Sequence, residues 1–304
     1  MRIVAALGGN ALLERGEPAD CDIQEAHIRK AVAALAPLAR AHDLVITHGN
    51  GPQVGMLAVE SAGDPALSHP FPLDVLGAQT QGMIGYWLLQ ALQNAVAGRE
   101  VACLVSRTLV NAGDPAFASP SKLVGPVYDE QQARRLADAH GWDIGKDGTW
   151  WRRIVPSPEP VELLDLPLIR RLQTSGVLVV CAGGGGVPVV RTADGRLRGV
   201  EAVVDKDLTA ALLAQGLGAD ALLLLTDVKA VEDAFGTPQA QPIHWASPGE
   251  LRARSFPAGS MGPKIEAVCR FVETTGKMAA IGQLADAEAL LRRNAGTIVT
   301  SASC

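Results

Sequence analysis

Asp43-Leu44-Val45-Ile46-Thr47-His48-Gly49-Asn50-Gly51-Pro52-Gln53-Val54-Gly55 reads as a strand, an abrupt glycine turn and the start of a helix that runs from about Gln53 to Ser61. The same arrangement opens the chain, where the apolar run Arg2–Leu7 meets Gly8-Gly9-Asn10. It returns where Val177–Cys181 is followed by Gly183 to Gly186. Between these strands lie helical patterns. Residues 23–41 place Ile23, Ala26, His27, Ala31, Ala34, Leu35 and Leu38 near one face, with Pro37 expected to bend the helix late. Residues 73–97 give a longer pattern interrupted by three glycines. Further strands are expected at 101–106, 221–226, 278–281 and 297–300, and further helices at 163–174, 207–215, 264–274 and 285–294. Asp194-Gly195 reads as a hairpin turn. Strands alternating with helices along the whole chain predict an α/β fold around a mainly parallel open sheet.

Residues 111–160 break this rhythm. Proline, glycine and aromatic residues cluster there, including Trp142, Trp150 and Trp151. A short helix over 128–140 and a tight turn at Asp147-Gly148 suit a small inserted lid subdomain, and the tryptophans suit packing within it.

With 304 residues, 48% of them hydrophobic, the chain can bury a substantial core. The net charge of −5 gives no general basic field for nucleic acid, so an anionic ligand must be met by local cations. No apolar run approaches the ~20 residues of a membrane helix. The first residues reach glycine too soon for a signal-peptide apolar region, and a cytoplasmic protein is expected. Five scattered cysteines, Cys21, Cys103, Cys181, Cys269 and Cys304, form no C-x-x-C pair and suggest neither disulfides nor zinc.

Glycine turns at the carboxyl ends of strands are where open α/β sheets bind ligands, because backbone N–H groups and a following helix N-terminus converge on an anion. A lone turn of this kind is also a plain strand-to-helix connection. Gly49-x-Gly51-x-x-x-Gly55 resembles a variant dinucleotide fingerprint. The region about 20 residues on, His69-Pro70-Phe71-Pro72-Leu73-Asp74, lacks the strand and acidic end that a nicotinamide site needs. No phosphate-binding loop of the G-x-x-x-x-G-K-[ST] type is present. Three lysines stand in turns instead of on polar helix faces. Lys206 lies between Asp205 and Asp207 where a strand gives way to a helix, a setting that also suits a local ion pair. Lys264 follows Gly262-Pro263 at a helix start, and Lys122 sits in the insert. The histidines show no metal spacing, and His48 suits a structural hydrogen bond.

Ala6 to Ala11, Thr47 to Gly55, Pro72 to Thr80, Trp151 to Pro158, Gly183 to Gly186, Val204-Asp205-Lys206-Asp207 and Gly259 to Lys264 together resemble carbamate kinases of the amino-acid kinase superfamily, in order and over nearly the whole chain. The resemblance implies a three-layer αβα sandwich. An acceptor-binding N-lobe would span about 1–200, a nucleotide-binding C-lobe about 201–304, and the lid about 111–160. It implies a homodimer that transfers a phosphoryl group between ATP and carbamate with Mg²⁺, often run toward ATP in arginine or ureido-compound catabolism. By motif, Lys206 and Lys264 would hold the transferring group, Asp207 would orient them and Lys122 would reach in from the lid. Gly8, Gly9, Asn10, Gly49, Asn50 and Gly51 would cradle the acceptor. Lys206, Thr226, Asp227, Val228, Met261, Gly262 and Lys264 would contact the nucleotide, with no dedicated metal ligands on the protein.

Lysines and backbone amides suit this chemistry, since phosphoryl transfer to an anionic acceptor needs alignment and charge neutralisation more than acid or base. A kinase for another small carboxylate, or a non-catalytic nucleotide-binding relative, is the alternative. The chain departs from the family pattern at Lys229-Ala230-Val231-Glu232, where relatives place an aromatic near adenine. It departs again at Leu123, where a proline is more usual.

Overall fold

The computed structural model describes residues 1–301 apart from Arg15 and Ala258, with the backbone alone for Asn10. Cys304 lies outside the described residues. In chain order the first elements are β1 (Arg2–Leu7), α1 (Cys21–Ala41), β2 (Asp43–His48), α2 (Gly51–Gly63), α3 (Leu73–Ala95), β3 (Val101–Cys103) and β4 (Arg107–Val110). The insert follows, with β5 (Lys122–Tyr128), α4 (Glu130–His140), β6 (Ile144–Asp147) and β7 (Trp150–Val155). Next come β8 (Pro160–Leu163), α5 (Leu166–Thr174), β9 (Leu178–Val180), β10 (Val187–Arg191), β11 (Leu197–Gly199), α6 (Lys206–Leu217) and β12 (Ala221–Thr226). The chain closes with β13 (Val231–Asp233), β14 (Gln241–Ile243), β15 (Trp245–Ala246), α7 (Pro248–Arg252), α8 (Met261–Thr275), β16 (Met278–Gln283), α9 (Ala287–Leu291) and β17 (Thr297–Val299).

The main sheet runs β15-β17-β16-β12-β1-β2-β9-β3. Its pairs are parallel except β16–β17. Alternation along the central strand builds the layers. Ile3, Ala5 and Leu7 face a core shared with α1, α3 and α9, while Val4 and Ala6 face one shared with α5, α6 and α8. Both faces of the sheet are therefore buried, which is why its strands read as unbroken apolar runs. Strand β1 pairs β2 on one side and β12 on the other, so the order reverses at β1 and opens a crevice at the carboxyl ends.

The helix α1 runs on through Pro37 to Ala41. Two expectations need correction. The run 101–106 is not one strand: β3 ends at Cys103, the Gln81 amide ties off Ser106, and β4 joins a second sheet, β11-β10-β4-β8. Leu163 does not open a helix. It pairs Thr108 as the end of β8, buries its side chain in the core, and α5 begins at Leu166.

The insert forms its own sheet, β5-β7-β6, with Gly148 in the left-handed region at the β6–β7 turn. The Arg134 and Lys146 cations each stand over the Trp151 ring, at 5.7 and 5.6 Å, and that of Arg153 over the Trp142 ring at 4.6 Å. Its strand β5 packs on α2 at Gly55. A Cβ there would stand 1.8 Å from the Gly125 Cα, so only glycine allows the two backbones to approach this closely. The third glycine of the apparent dinucleotide fingerprint thus serves helix-to-insert packing.

Candidate active site

A cavity of about 940 Å³ lies at the crevice, bounded by the ends of β1, β2 and β12, the N-terminal ends of α2, α6 and α8, and β5 of the insert. Backbone geometry closes its floor. Gly8 N–H donates to the Leu225 carbonyl at 2.8 Å and Gly49 N–H to the Leu7 carbonyl at 2.9 Å, which lock the two glycine turns to the sheet. A Cβ on Gly49 would sit 2.9 Å from the Gly9 nitrogen, so the turns touch backbone to backbone. Asn50 occupies the N-cap of α2 and donates from Nδ2 to Thr80 Oγ1 at 2.8 Å. With Pro52 in its first turn, α2 points its positive end at the cavity.

The third glycine turn has a supporting role. Gly184 lines the cavity, but a Cβ on Gly183 would meet the His48 ring at 2.4 Å and one on Gly184 the Asn50 amide at 2.3 Å. These glycines let the loop lie flat against the residues of the second turn. His48 is buried and engages the Gly49 carbonyl through Nδ1 at 2.9 Å. Burial pushes its pKa down to about 4, so the ring is neutral and structural.

On the opposite wall, Lys206 begins α6 and Lys264 lies in the first turns of α8. Their ammoniums meet the two oxygens of Asp207 at 2.6 and 2.8 Å. All three side chains are largely buried, and together they carry one net positive charge. Burial would raise the Asp207 carboxyl, but the two ammoniums hold it well below the usual carboxylate range. Burial, and then the neighbouring Lys264 charge, lowers Lys206 against the pull of Asp207. For Lys264 burial also works against the charge, yet the attraction of Asp207, then of Asp205 and Asp227, outweighs it and its pKa is raised.

Lys122, at the start of β5, donates to Asp205 Oδ2 at 2.6 Å. The other oxygen of Asp205 caps α6, accepting from Asp207 N–H at 2.9 Å and Leu208 N–H at 3.2 Å.

The expected site residues converge. Gly8, Gly9, Gly49, Asn50, Gly51, Lys122, Lys206, Asp207, Thr226, Asp227, Val228, Met261 and Lys264 all line this one cavity. The Asn10 backbone lies in the short helical turn after Gly9. Gly262 is not on the wall. It sits inside the first turn of α8, where its nitrogen donates to the Pro257 carbonyl at 2.8 Å and a Cβ would press on the same carbonyl.

Sequence reading missed Asp205, although an aspartate just before a helix start is a capping signal. It also missed Glu14, Glu232, Phe235 and Phe256 on the cavity wall. The two phenylalanines put aromatic surface on the wall of the cavity that Val228 and Met261 also line. Among the described residues no group of three or more His, Cys, Asp or Glu is placed to hold a metal ion. No described helix is long and apolar enough to cross a membrane.

Comparison with known proteins gives one answer. The model of the amino acid kinase family matches residues 1–282. A carbamate kinase of Rhizobium meliloti is 50% identical, over 99% of this chain and 94% of its own length. One from Escherichia coli K12 is 47% identical over 98% and 99%. The solved carbamate kinase of Giardia lamblia bound to AMP-PNP superposes with a TM-score of 0.87 at 38% identity, covering 98% of each chain.

Proposed function

We propose that this chain, which belongs to the amino acid kinase family and within it to the carbamate kinases, transfers a phosphoryl group reversibly between ATP and carbamate. The observation that carries the reading is the Lys206–Asp207–Lys264 cluster, two ammoniums on one buried carboxylate, facing glycine turns across a single cavity.

The residues divide by chemistry. In the direction of ATP formation, a β-phosphate oxygen of ADP attacks the phosphorus of carbamoyl phosphate, and the bond from phosphorus to the carbamate oxygen breaks. Neither partner needs a proton removed, which agrees with a neutral, buried His48 beside the site. Lys206 and Lys264 neutralise negative charge on the transferring oxygens, and Asp207 holds both ammoniums in place before substrate arrives. Such preorganised charge acts most strongly where water is excluded. N–H groups at Gly9, Asn10 and the start of α2 face the carbamate, and Lys122 approaches from the insert, which acts as a lid. The lobe holding Thr226, Asp227, Val228 and Met261 takes the nucleotide, its base against Phe235 and Phe256.

Mg²⁺ suits this site as part of the nucleotide. It prefers phosphate oxygens with one or two carboxylates; the wall carries Asp205, Asp207 and Asp227 without forming a protein cage, and with the oxygens of Asp205 and Asp207 already engaged the ion would rest chiefly on the nucleotide's phosphates. When bound it neutralises charge on the phosphate chain. The homodimer implied by the resemblance would cover apolar side chains that are exposed on the single chain, among them Phe71, Val75 and Tyr86.

The test is ATP formation by purified protein from ADP, Mg²⁺ and carbamoyl phosphate, against a no-enzyme control. Acetyl phosphate serves as a competing donor. Robust turnover that prefers carbamoyl phosphate is expected. Preference for acetyl phosphate would move the assignment to another small carboxylate, and nucleotide binding without turnover would make the protein a non-catalytic relative.

A further inference from the structure

The insert is fastened to the segment that leads into the catalytic helix at every second residue. Glu201 takes the Arg153 guanidinium of β7 at 3.1 Å, Val203 N–H donates to the Pro156 carbonyl at 3.0 Å, and Asp205 takes Lys122 of β5 at 2.6 Å. The first two ties sit where the insert rejoins the body. The third differs from them, because Lys122 and Asp205 both line the cavity.

Asp205 has two tasks, one for each oxygen. Through Oδ1 it holds the first turn of α6, which carries Lys206 and Asp207, and through Oδ2 it holds the lid lysine. The side chain of Asp205 is 10% exposed and that of Lys122 33%. The carboxylate is thus anchored, and the lysine is the partner free to leave. Its release also moves charge within the site. The Lys206–Asp207–Lys264 cluster carries one net positive charge, and a lysine that turns from Asp205 to a phosphate oxygen brings a further positive charge against the doubly charged phosphoryl group, leaving the site's total unchanged.

We infer that Asp205 is a positioning residue of the reaction: it holds Lys122 at the cavity wall, beside the cluster on α6, and hands it to the incoming phosphoryl group. This rests on the kinase reading above. It predicts that loss of the charge on Asp205 loosens the lid and weakens use of carbamoyl phosphate through Lys122 alone.

Asp205→Asn keeps a capping oxygen for α6 while removing the ion pair. Asp205→Ser also caps but is too short to reach Lys122, and must behave alike. In the ligand-free full-length protein, amide exchange across 122–155 should quicken several-fold in Asp205→Asn and in Lys122→Ala, and no further in the double variant. KM for carbamoyl phosphate should rise about three- to tenfold in Asp205→Asn with kcat nearly unchanged, the range expected for a partly exposed ion pair. In the Lys122→Ala background the same change should leave KM where it is. Unchanged exchange in Asp205→Asn overturns the inference, as does an equal loss of kcat in both backgrounds, which would make Asp205 a helix cap and nothing more. A failure of the kinase reading shows separately, as absent turnover in the wild type, and leaves the exchange measurement decisive for the latch.

Discussion

Lys206 and Lys264 stand on helices of the main body with Asp207 between them, at 11% and 15% side-chain exposure, whereas Lys122 stands on a strand of the insert at 33% and meets one carboxylate. The three lysines face the same cavity and differ in what holds them. The pair on α6 and α8 is braced by a shared buried anion and by two helices packed into the core. Lys122 is braced by a small sheet outside the main one, seated on α2 and α3 through Val124 and Val155, the Gly55–Gly125 contact and a few polar ties. Rigid support suits charges that must be in place at the moment of transfer, and movable support suits a charge that greets and encloses the substrate.

The difference can be broken most severely from the rigid side. Lys206→Ala or Lys264→Ala should each lower kcat on the order of 10²–10³-fold, as loss of one preorganised donor does in comparable sites, with circular dichroism unchanged. Near-normal turnover in either would remove that lysine from the transfer step. Lys122→Ala should act on the other term, raising KM for carbamoyl phosphate about tenfold while kcat changes much less. A dominant fall in kcat would place Lys122 with the rigid pair.

The seat of the lid offers a finer test. Gly55→Ala forces β5 away from α2, because the added Cβ would lie 1.8 Å from the Gly125 Cα. KM should rise a fewfold, and stability should drop by about 1–3 kcal/mol, as overpacking does, read from denaturant midpoints. An unaltered KM would show that the lid position tolerates the shift. The smallest expected effect is on pH dependence. Lys206 is held below the ordinary lysine value of 10.5, chiefly by burial. Above its pKa it loses its positive charge and with it the attraction for the transferring oxygens, so kcat/KM, which reports the free enzyme, should fall as pH rises, with the alkaline limb below 10.5. A limb at or above that value would contradict the burial.

Much of this was legible in the sequence because the main body is built from locally decided elements. A strand buried on both faces leaves a run such as Ala221–Leu225, and a glycine turn marks its end. The lysines stood out because they stand in turns and beside glycines and not on polar helix faces, although Lys206 between two aspartates also suited a local ion pair. The insert was harder. Strands such as β7, Trp150–Val155, are half-exposed and mix tryptophan with arginine, so neither a clean alternation nor an apolar run announces them. The helix α7 was overlooked although Ser247 and Glu250 form a full capping box, a signal short enough to be lost in a loop. The tie between Lys122 and Asp205 joins residues 83 apart, and no local pattern encodes such a pairing. The second glycine turn was readable as a site, while the role of Gly183 to Gly186 in propping His48 and Asn50 emerged only from close contacts in space.

The division between rigid and movable lysines is tested most directly by single-turnover formation of ATP on enzyme preloaded with Mg²⁺ and ADP, followed while carbamoyl phosphate is raised to saturation. At saturation Lys122→Ala should recover to within a fewfold of the wild-type transfer rate, and Lys264→Ala should remain slower by about 10²-fold at every concentration. Equal deficits for the two variants at saturation would contradict the division and assign all three lysines to the transfer step itself.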